Sequence, residues 1–397
     1  MEEWKQYNIG EICDTISETY KGNASDVVLI NTSDVLEGKC LNHTFVANKN
    51  LRGQFKKQFK KNDILYSEIR PANKRYAFID FESTDYIAST KLMVIRSNDK
   101  VLPKYLYYVL QSKEMVEVLQ MLAESRSGTF PQITFSELAI QTILLPEIRE
   151  QSKIVDFLES IDSKIALNRR INDNLEQQAQ ALFKSWFVDF EPFKEGKFVD
   201  SEMGMIPEGW KVGRLCDFAI ITMGQSPSGD SYNENKEGMV FYQGRSEFGN
   251  RFPSIKLYTT DPNRIAEKNS ILISVRAPVG DINIASQDCC IGRGLASIKA
   301  RGNYNSFLYY TVKSMKKEFD VYNGEGTVFG SINKDSLNSM PVIIPTIEEI
   351  SNFEKITSVL DYNYEKCHRE NIILTSLRDN LLPRLISGGL KINDLNC

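Results

Sequence analysis

The sequence predicts an α+β protein: two similar α/β globules separated by an antiparallel coiled coil of two long helices, an internal repeat with pseudo-two-fold symmetry. Three observations predict it. Ordered matches link the two halves at a spacing of about 200 residues, each half carries a series of short β-like runs, and each series is followed by apolar residues in steps of three and four.

Each half opens on a Trp-Lys pair, Trp4-Lys5 and Trp210-Lys211, followed by Ile12-Cys13-Asp14 and Leu215-Cys216-Asp217. Short β-like runs then alternate with Gly, Asn, Ser and Pro turns, over 27–30, 64–66 and 91–95 in the first half and 239–242 and 270–275 in the second. Lys61-Asn62-Asp63-Ile64-Leu65 and Lys268-Asn269-Ser270-Ile271-Leu272 each lead to an arginine and a proline, Arg70-Pro71 and Arg276-Ala277-Pro278. A short aromatic helix follows at Tyr105-Leu106-Tyr107-Tyr108 and at Phe307-Leu308-Tyr309-Tyr310. Gly128-Thr129 and Gly326-Thr327 then precede the apolar closing strands Ile143-Leu144-Leu145-Pro146 and Val342-Ile343-Ile344-Pro345.

After each proline the period changes to that of a long helix. Leu158, Ile161, Ile165, Asn168, Asn172, Leu175, Ala179, Leu182 and Trp186 form a coiled-coil seam, and Thr357, Leu360, Tyr364, Cys367, Asn371, Leu374, Arg378, Leu381 and Leu385 form its counterpart. A seam Asn recurs at the same register in both, Asn172 and Asn371, where a buried amide lowers stability but fixes alignment. About 34 residues at 1.5 Å give a rod of about 50 Å, longer than a globule of ~150 residues needs for its own core. The expected organisation is a first recognition globule over 1–146, a central helix over 147–190, a linker and second globule over 191–345, and a C-terminal helix over 346–390.

Apolar residues make up 42% and charged residues 25% of 397, the balance of a soluble globular chain and not of a disordered one. No apolar stretch approaches the ~18 residues of a membrane helix, and Met1-Glu2-Glu3-Trp4-Lys5 lacks a secretory leader, so no membrane partner and a cytoplasmic location are expected. The seven cysteines form no Cys-x-x-Cys pair and read as reduced packing residues. His43 and His368 are the only histidines, which disfavours a histidine metal site or a Ser-His-Asp triad. No metal and no cofactor are expected. Neither a phosphate loop nor a Gly-x-Gly-x-x-Gly turn occurs, and Asp162-x-Lys164, a superficial nuclease pair, reads as a solvated helix face.

Net charge is -4, but its distribution is uneven. Between Glu37 and Asp63 there are no acids while Lys39, Lys49, Arg52, Lys56, Lys57, Lys60 and Lys61 occur, and a second acid-free window between Asp288 and Glu318 holds Arg293, Lys299, Arg301, Lys313, Lys316 and Lys317. Arginine reads guanine edges bidentately and glycine lets backbone approach phosphate, so duplicated Arg and Gly elements suit DNA binding without catalysis.

In this order the motifs resemble the specificity (HsdS-type) subunit of type I restriction-modification enzymes. The resemblance covers nearly the whole chain and includes Leu182-Phe183-Lys184-Ser185-Trp186-Phe187-Val188-Asp189-Phe190, Ile206-Pro207-Glu208-Gly209-Trp210 and Leu381-Leu382-Pro383-Arg384-Leu385-Ile386-Ser387-Gly388. It implies a non-catalytic subunit that reads an asymmetric bipartite target in double-stranded DNA, one half per globule. The helices would act as a ruler and dock two modification (methyltransferase) subunits alongside restriction subunits. A methylation-only system is the nearest alternative; a self-contained nuclease or methyltransferase and a scaffold that does not bind DNA are the rivals from other classes. The family's Gly-x-x-Pro loop is present as Gly224-Gln225-Ser226-Pro227, whereas the first half has Ser17-Glu18-Thr19-Tyr20-Lys21-Gly22 there, so that loop's contacts are not carried over to the first half. The candidate DNA contacts are Arg70, Lys74, Arg126 and Thr129 in the first globule and Gln225, Ser226, Arg245, Arg276, Arg293 and Thr327 in the second.

Overall fold

The computed structural model describes residues 4–395 except 50, 52, 127 and 325–329, so Thr327 lies outside the described residues. The chain divides into two units, one of Met1–Asn168 with Arg369–Cys397 and one of Arg169–His368. Each unit combines one globule with a segment of each long helix.

In the first unit, one sheet has the strand order Cys13–Ile16, Leu92–Ser97, Ile64–Ser67, Tyr76–Phe78, with antiparallel neighbours throughout. Its central strands read as continuous apolar runs because both faces are covered. Alternation sends Ile64, Tyr66, Met93 and Ile95 into a core shared with the helices, and Leu65, Leu92 and Val94 into a second core. A second sheet closes that core, ordered Phe45–Ala47, Asp26–Ile30, Tyr86–Ser89, Phe55–Gln58, its central pair parallel.

The second unit repeats the order of these two sheets. One sheet runs Ala219–Met223, Leu295–Ala300, Ile271–Ser274, Ile282–Ile284, and the other runs Leu257–Thr259, Met239–Tyr242, Cys289–Ile291, Ile265–Ala266, again with a parallel central pair. A short strand, Tyr232–Asn233, is added outside Leu257–Thr259. The sequence repeat is therefore a repeat of topology.

The opening and closing motifs of each half meet. Lys5–Asn8 pairs antiparallel with Thr142–Leu145, and Lys211–Arg214 with Pro341–Ile344, so each globule is tied shut where its long helix begins. The helices span Ile148–Phe187 and Ile347–Ile386, 40 residues and about 60 Å each. They are longer than the seam spacing indicated because their first turns face the globule: Gln151, Ile154 and Val155, and likewise Ile350 and Phe353, are buried there. Farther along, the seam positions are buried or half-buried in both helices.

The helical segments within each unit run antiparallel. In the first, Asp162 pairs with Arg378 at 2.8 Å and Lys164 with Glu370 at 3.3 Å, while the Asn168 amide donates to Asn371 Oδ1 at 3.0 Å. Asn371 also donates to the Ile165 carbonyl at 3.4 Å, whereas Oδ1 of Asn172, the other seam amide, is buried without a hydrogen-bond partner among the described residues. Asp162, expected on a solvated helix face, is instead half-buried and accepts Tyr108 Oη–H at 2.8 Å as well as Arg378, partners more than fifty positions away in sequence. In the second unit, Phe183 and Trp186 pack on Phe353 with ring centroids 5.9 and 6.1 Å apart. Cys13, Cys289 and Cys290 are buried, unpaired packing thiols. Among the described residues no helix is long and apolar enough to cross a membrane, and no cluster of three or more His, Cys, Asp or Glu is arranged to hold a metal.

Candidate nucleic-acid interface

In the second unit, loops from four sequence regions converge on Gly292-Arg293-Gly294. The Gly224 N–H donates to the Leu295 carbonyl at 2.9 Å and the Gln225 N–H to the Ile291 carbonyl at 3.0 Å. Ser226 Oγ accepts the Arg293 N–H at 3.3 Å, and the Ser226 carbonyl accepts from Asn263 at 3.4 Å. Gly292 N–H donates to Tyr242 O, and Val275 N–H to Gly294 O, which brings in Gln243-Gly244-Arg245 and the Arg276 loop. Gln225, Ser226, Arg245, Arg276 and Arg293 thus belong to one continuous rim, although they span some seventy positions of sequence.

Glycine is required here by close approach. A Cβ at Gly224 would lie 2.1 Å from the Gly292 carbonyl oxygen, whereas one at Gly229 meets nothing within 4 Å. Gly224→Ala is expected to cost about 1 to 3 kcal/mol in thermal unfolding of the second unit, and Gly229→Ala less than about 0.5 kcal/mol.

The first unit builds its rim from fewer loops. Arg70 N–H donates to the Pro131 carbonyl at 3.1 Å, Ile133 N–H to Glu68 O at 2.9 Å, and the Arg70 guanidinium to Thr129 O at 3.3 Å. Arg70 and Lys74 flank the turn Pro71–Asn73 and both are left-handed, with φ of 42° and 52°. That backbone costs about 1 to 3 kcal/mol at a non-glycine residue, so the surrounding contacts hold both cations in a strained, fixed display. Arg126 ends the helix Lys113–Arg126 and pairs with Glu137 at 3.0 Å. Burial pushes the Glu137 carboxyl up, but Thr134 and Arg126 together outweigh it and hold the group below its ordinary value.

The two arginines are not equivalent. Ile69 bridges to Gln132 as Arg276 bridges to Ser331, and Arg70 N–H bonds Pro131 as Ala277 N–H bonds Gly330. Arg276 therefore stands one position before the counterpart of Arg70. The two Arg-to-Pro runs are alike in sequence but out of step in the fold, and the loops present different surfaces as a result.

Ion pairs redistribute the basic windows. Lys74 pairs with Glu37 at 3.5 Å, Arg245 with Asp281 at 2.5 Å and Lys61 with Glu82 at 3.8 Å; Lys299 pairs with Glu267 and Lys313 with Glu176. Lys57 Nζ donates to the Leu92 carbonyl, and its burial lowers its pKa. Lys61, Lys299 and Lys313 of the two windows thus face acids contributed from elsewhere in the chain, as do Lys74 and Arg245 outside them, which a linear charge count cannot register. Arg276 and Arg293 remain exposed, and neither forms an ion pair among the described residues.

Sequence reasoning missed Arg251, which is 3% exposed. Its guanidinium reaches Glu176 at 3.0 Å and Asp361 at 2.5 Å, one carboxylate from each long helix, and stacks over Tyr309 and Tyr364 at 4.5 and 4.7 Å. Burial disfavours its charge, but Asp361 and Glu176 reverse the sign and hold it firmly protonated. Nothing in the local sequence marks it, since its partners lie 75 and 110 positions away. Tyr310 Oη–H also donates to Asp361 at 3.0 Å, and in the first unit the corresponding pair, Tyr108 and Asp162, receives its arginine from the second helix as Arg378.

A model of the type I restriction modification DNA specificity domain matches residues 1–177 and again 207–374. The specificity subunit of the type I restriction enzyme HindI from Haemophilus influenzae is 35% identical, covering 98% of this chain and all 100% of its own. The putative MjaX specificity subunit of Methanocaldococcus jannaschii is 33% identical over 83% of this chain and 79% of its own. The type I S subunit of M. genitalium, a solved structure, is similar in fold, with a TM-score of 0.55 at 18% identity over 97% of this chain and 96% of its own. With both halves matched by one family model and a curated relative aligned end to end, the chain belongs to the type I restriction-modification DNA specificity family, and its two globules are specificity domains.

Proposed function

We propose that this chain reads an asymmetric, bipartite sequence in double-stranded DNA, one half per globule, and carries out no covalent chemistry itself. The observation that carries this reading is one topology built twice with unlike rims: the second presents Gln225, Ser226, Arg276 and Arg293 around paired glycines, the first Arg70, Lys74, Arg126 and Thr129 around a strained turn. Equal scaffolds with unequal base-facing groups specify two different half-sites. The long helices set the distance between those half-sites, and their outward faces dock two modification subunits and the restriction subunits that family membership implies. About 60 Å of helix exceeds the 34 to 36 Å of one DNA turn.

The test is DNA binding by the chain assembled with its modification subunits. Affinity should fall steeply with salt, since phosphate neutralisation releases counterions. Arg276→Ala should weaken binding by about 1 to 3 kcal/mol and relax one base position if the guanidinium reads a base, or weaken all sequences alike if it holds phosphate. Salt-independent binding would contradict the reading, and an unchanged Arg276 variant would remove that residue from the interface.

A further inference from the structure

The strained Arg70 loop and the Arg276 loop share a feature that their sequences do not. In the first unit the Ala72 N–H donates to Gln120 Oε1 at 3.0 Å. In the second, the Val279 N–H donates to Asn323 Oδ1 at 2.6 Å. Ala72 and Val279 are equivalent positions, each two residues beyond the residue whose N–H bonds the returning segment, Arg70 to Pro131 and Ala277 to Gly330.

Each amide is itself anchored. Gln120 Nε2–H donates to Glu124 Oε1 at 2.7 Å, and Asn323 Nδ2–H donates to Asp320 Oδ1 at 3.2 Å. The carboxylate accepts only, so it takes the NH2 end and turns the carbonyl toward the loop. Gln120 projects from the helix Lys113–Arg126 and Asn323 from the turn Val321–Asn323. Amides of different length, from different backbone elements, thus reach the same N–H.

We infer that Gln120 and Asn323 are positioning residues, latches that hold the arginine loop of each specificity domain in its reading conformation. The proposal rests on the reading above, that these rims face DNA. Neither amide needs to touch a base. Each removes an alternative loop conformation, and an arginine free to move loses discrimination before it loses affinity, because a bidentate base contact needs fixed geometry whereas a phosphate contact does not.

The experiment uses the full chain assembled with its modification subunit and maps methylation across a genome for the wild type, Gln120→Leu and Asn323→Leu. Two polarity swaps, Gln120→Glu with Glu124→Gln and Asn323→Asp with Asp320→Asn, keep a carboxylate oxygen for the loop N–H and return a donor to the anchor. The expected result is about a tenfold rise in methylation of mismatched sites relative to cognate ones for each leucine variant. The relaxation should fall in opposite halves of the motif and be reversed by the matching swap. A general effect on folding would instead move both halves together with the melting temperature and would not respond to the swap. Relaxation of both halves by one variant, a uniform loss of methylation, an unchanged motif, or a swap that restores nothing would each overturn the latch. A wild-type complex that yields no split motif would refute the underlying reading as well.

Discussion

Arg251→Ala is expected to be the most damaging single substitution in the second unit, costing about 3 to 5 kcal/mol because it leaves the Glu176 and Asp361 carboxylates in a buried site without their shared cation. For a unit of roughly 200 residues this corresponds to a fall of about 6 to 20 °C in its unfolding midpoint, measurable by calorimetry. Arg251→Lys should recover less than half of that loss, since an ammonium is a point charge that cannot fork between carboxylates on two helices or stack over Tyr309 and Tyr364. The pH dependence carries a sign that can be checked. Burial raises the Glu176 carboxyl, but Arg251 and Lys313 outweigh it and hold the folded pKa below the ordinary value. Its contribution is therefore present above about pH 4.3 and lost as pH falls through the depressed folded value. The difference in midpoint between wild type and Arg251→Ala should narrow below that range, and a difference that is constant from pH 7 to pH 3.5 would contradict the assignment.

Inserting seven residues between Asn168 and Arg169 and seven more between His368 and Arg369 should preserve the seam and change the target. Seven residues are two turns of a 3.5-residue seam, so the pairs Lys164 with Glu370 and Asp162 with Arg378 keep their register. Each helix lengthens by about 10.5 Å, about three base pairs, and the unread gap of the split motif should widen by that amount while both half-site sequences stay fixed. Inserting five residues in each helix instead turns the seam away from its partner, and should lower stability and abolish methylation. Methylation mapping of the two insertion variants separates these outcomes.

Much of the fold was legible in the sequence because it depends on local rules and on the repeat. The paired openings and closings, Trp4-Lys5 with Ile143–Pro146 and Trp210-Lys211 with Val342–Pro345, mark the two ribbons that tie each globule shut. The steps of three and four mark the helix seam, but not the first turns, whose apolar residues face the globule. The rim was only partly legible. Gln225, Ser226 and Arg293 converge as a glycine-rich loop requires, and Arg70 meets Thr129. Lys74, Arg126 and Arg245 carry ion pairs to Glu37, Glu137 and Asp281, partners that only the folded chain brings close. Arg251, Gln120 and Asn323 left no sequence signal, because each acts through a partner chosen by tertiary structure. The one-position slip between Arg70 and Arg276 was legible too, since the offset of 207 between Lys61-Asn62-Asp63-Ile64-Leu65 and Lys268-Asn269-Ser270-Ile271-Leu272 puts Arg70 opposite Ala277, as the bridges of Ile69 to Gln132 and Arg276 to Ser331 also do.

On the proposed reading, methylation directed by this chain falls on a split, asymmetric motif. Expressing the chain with its modification subunit in a host lacking both, and sequencing the methylated adenines of the genome, should reveal two different short half-sites separated by a fixed unread gap, absent when this chain is omitted. A continuous or palindromic motif, or the same motif without the chain, would contradict it.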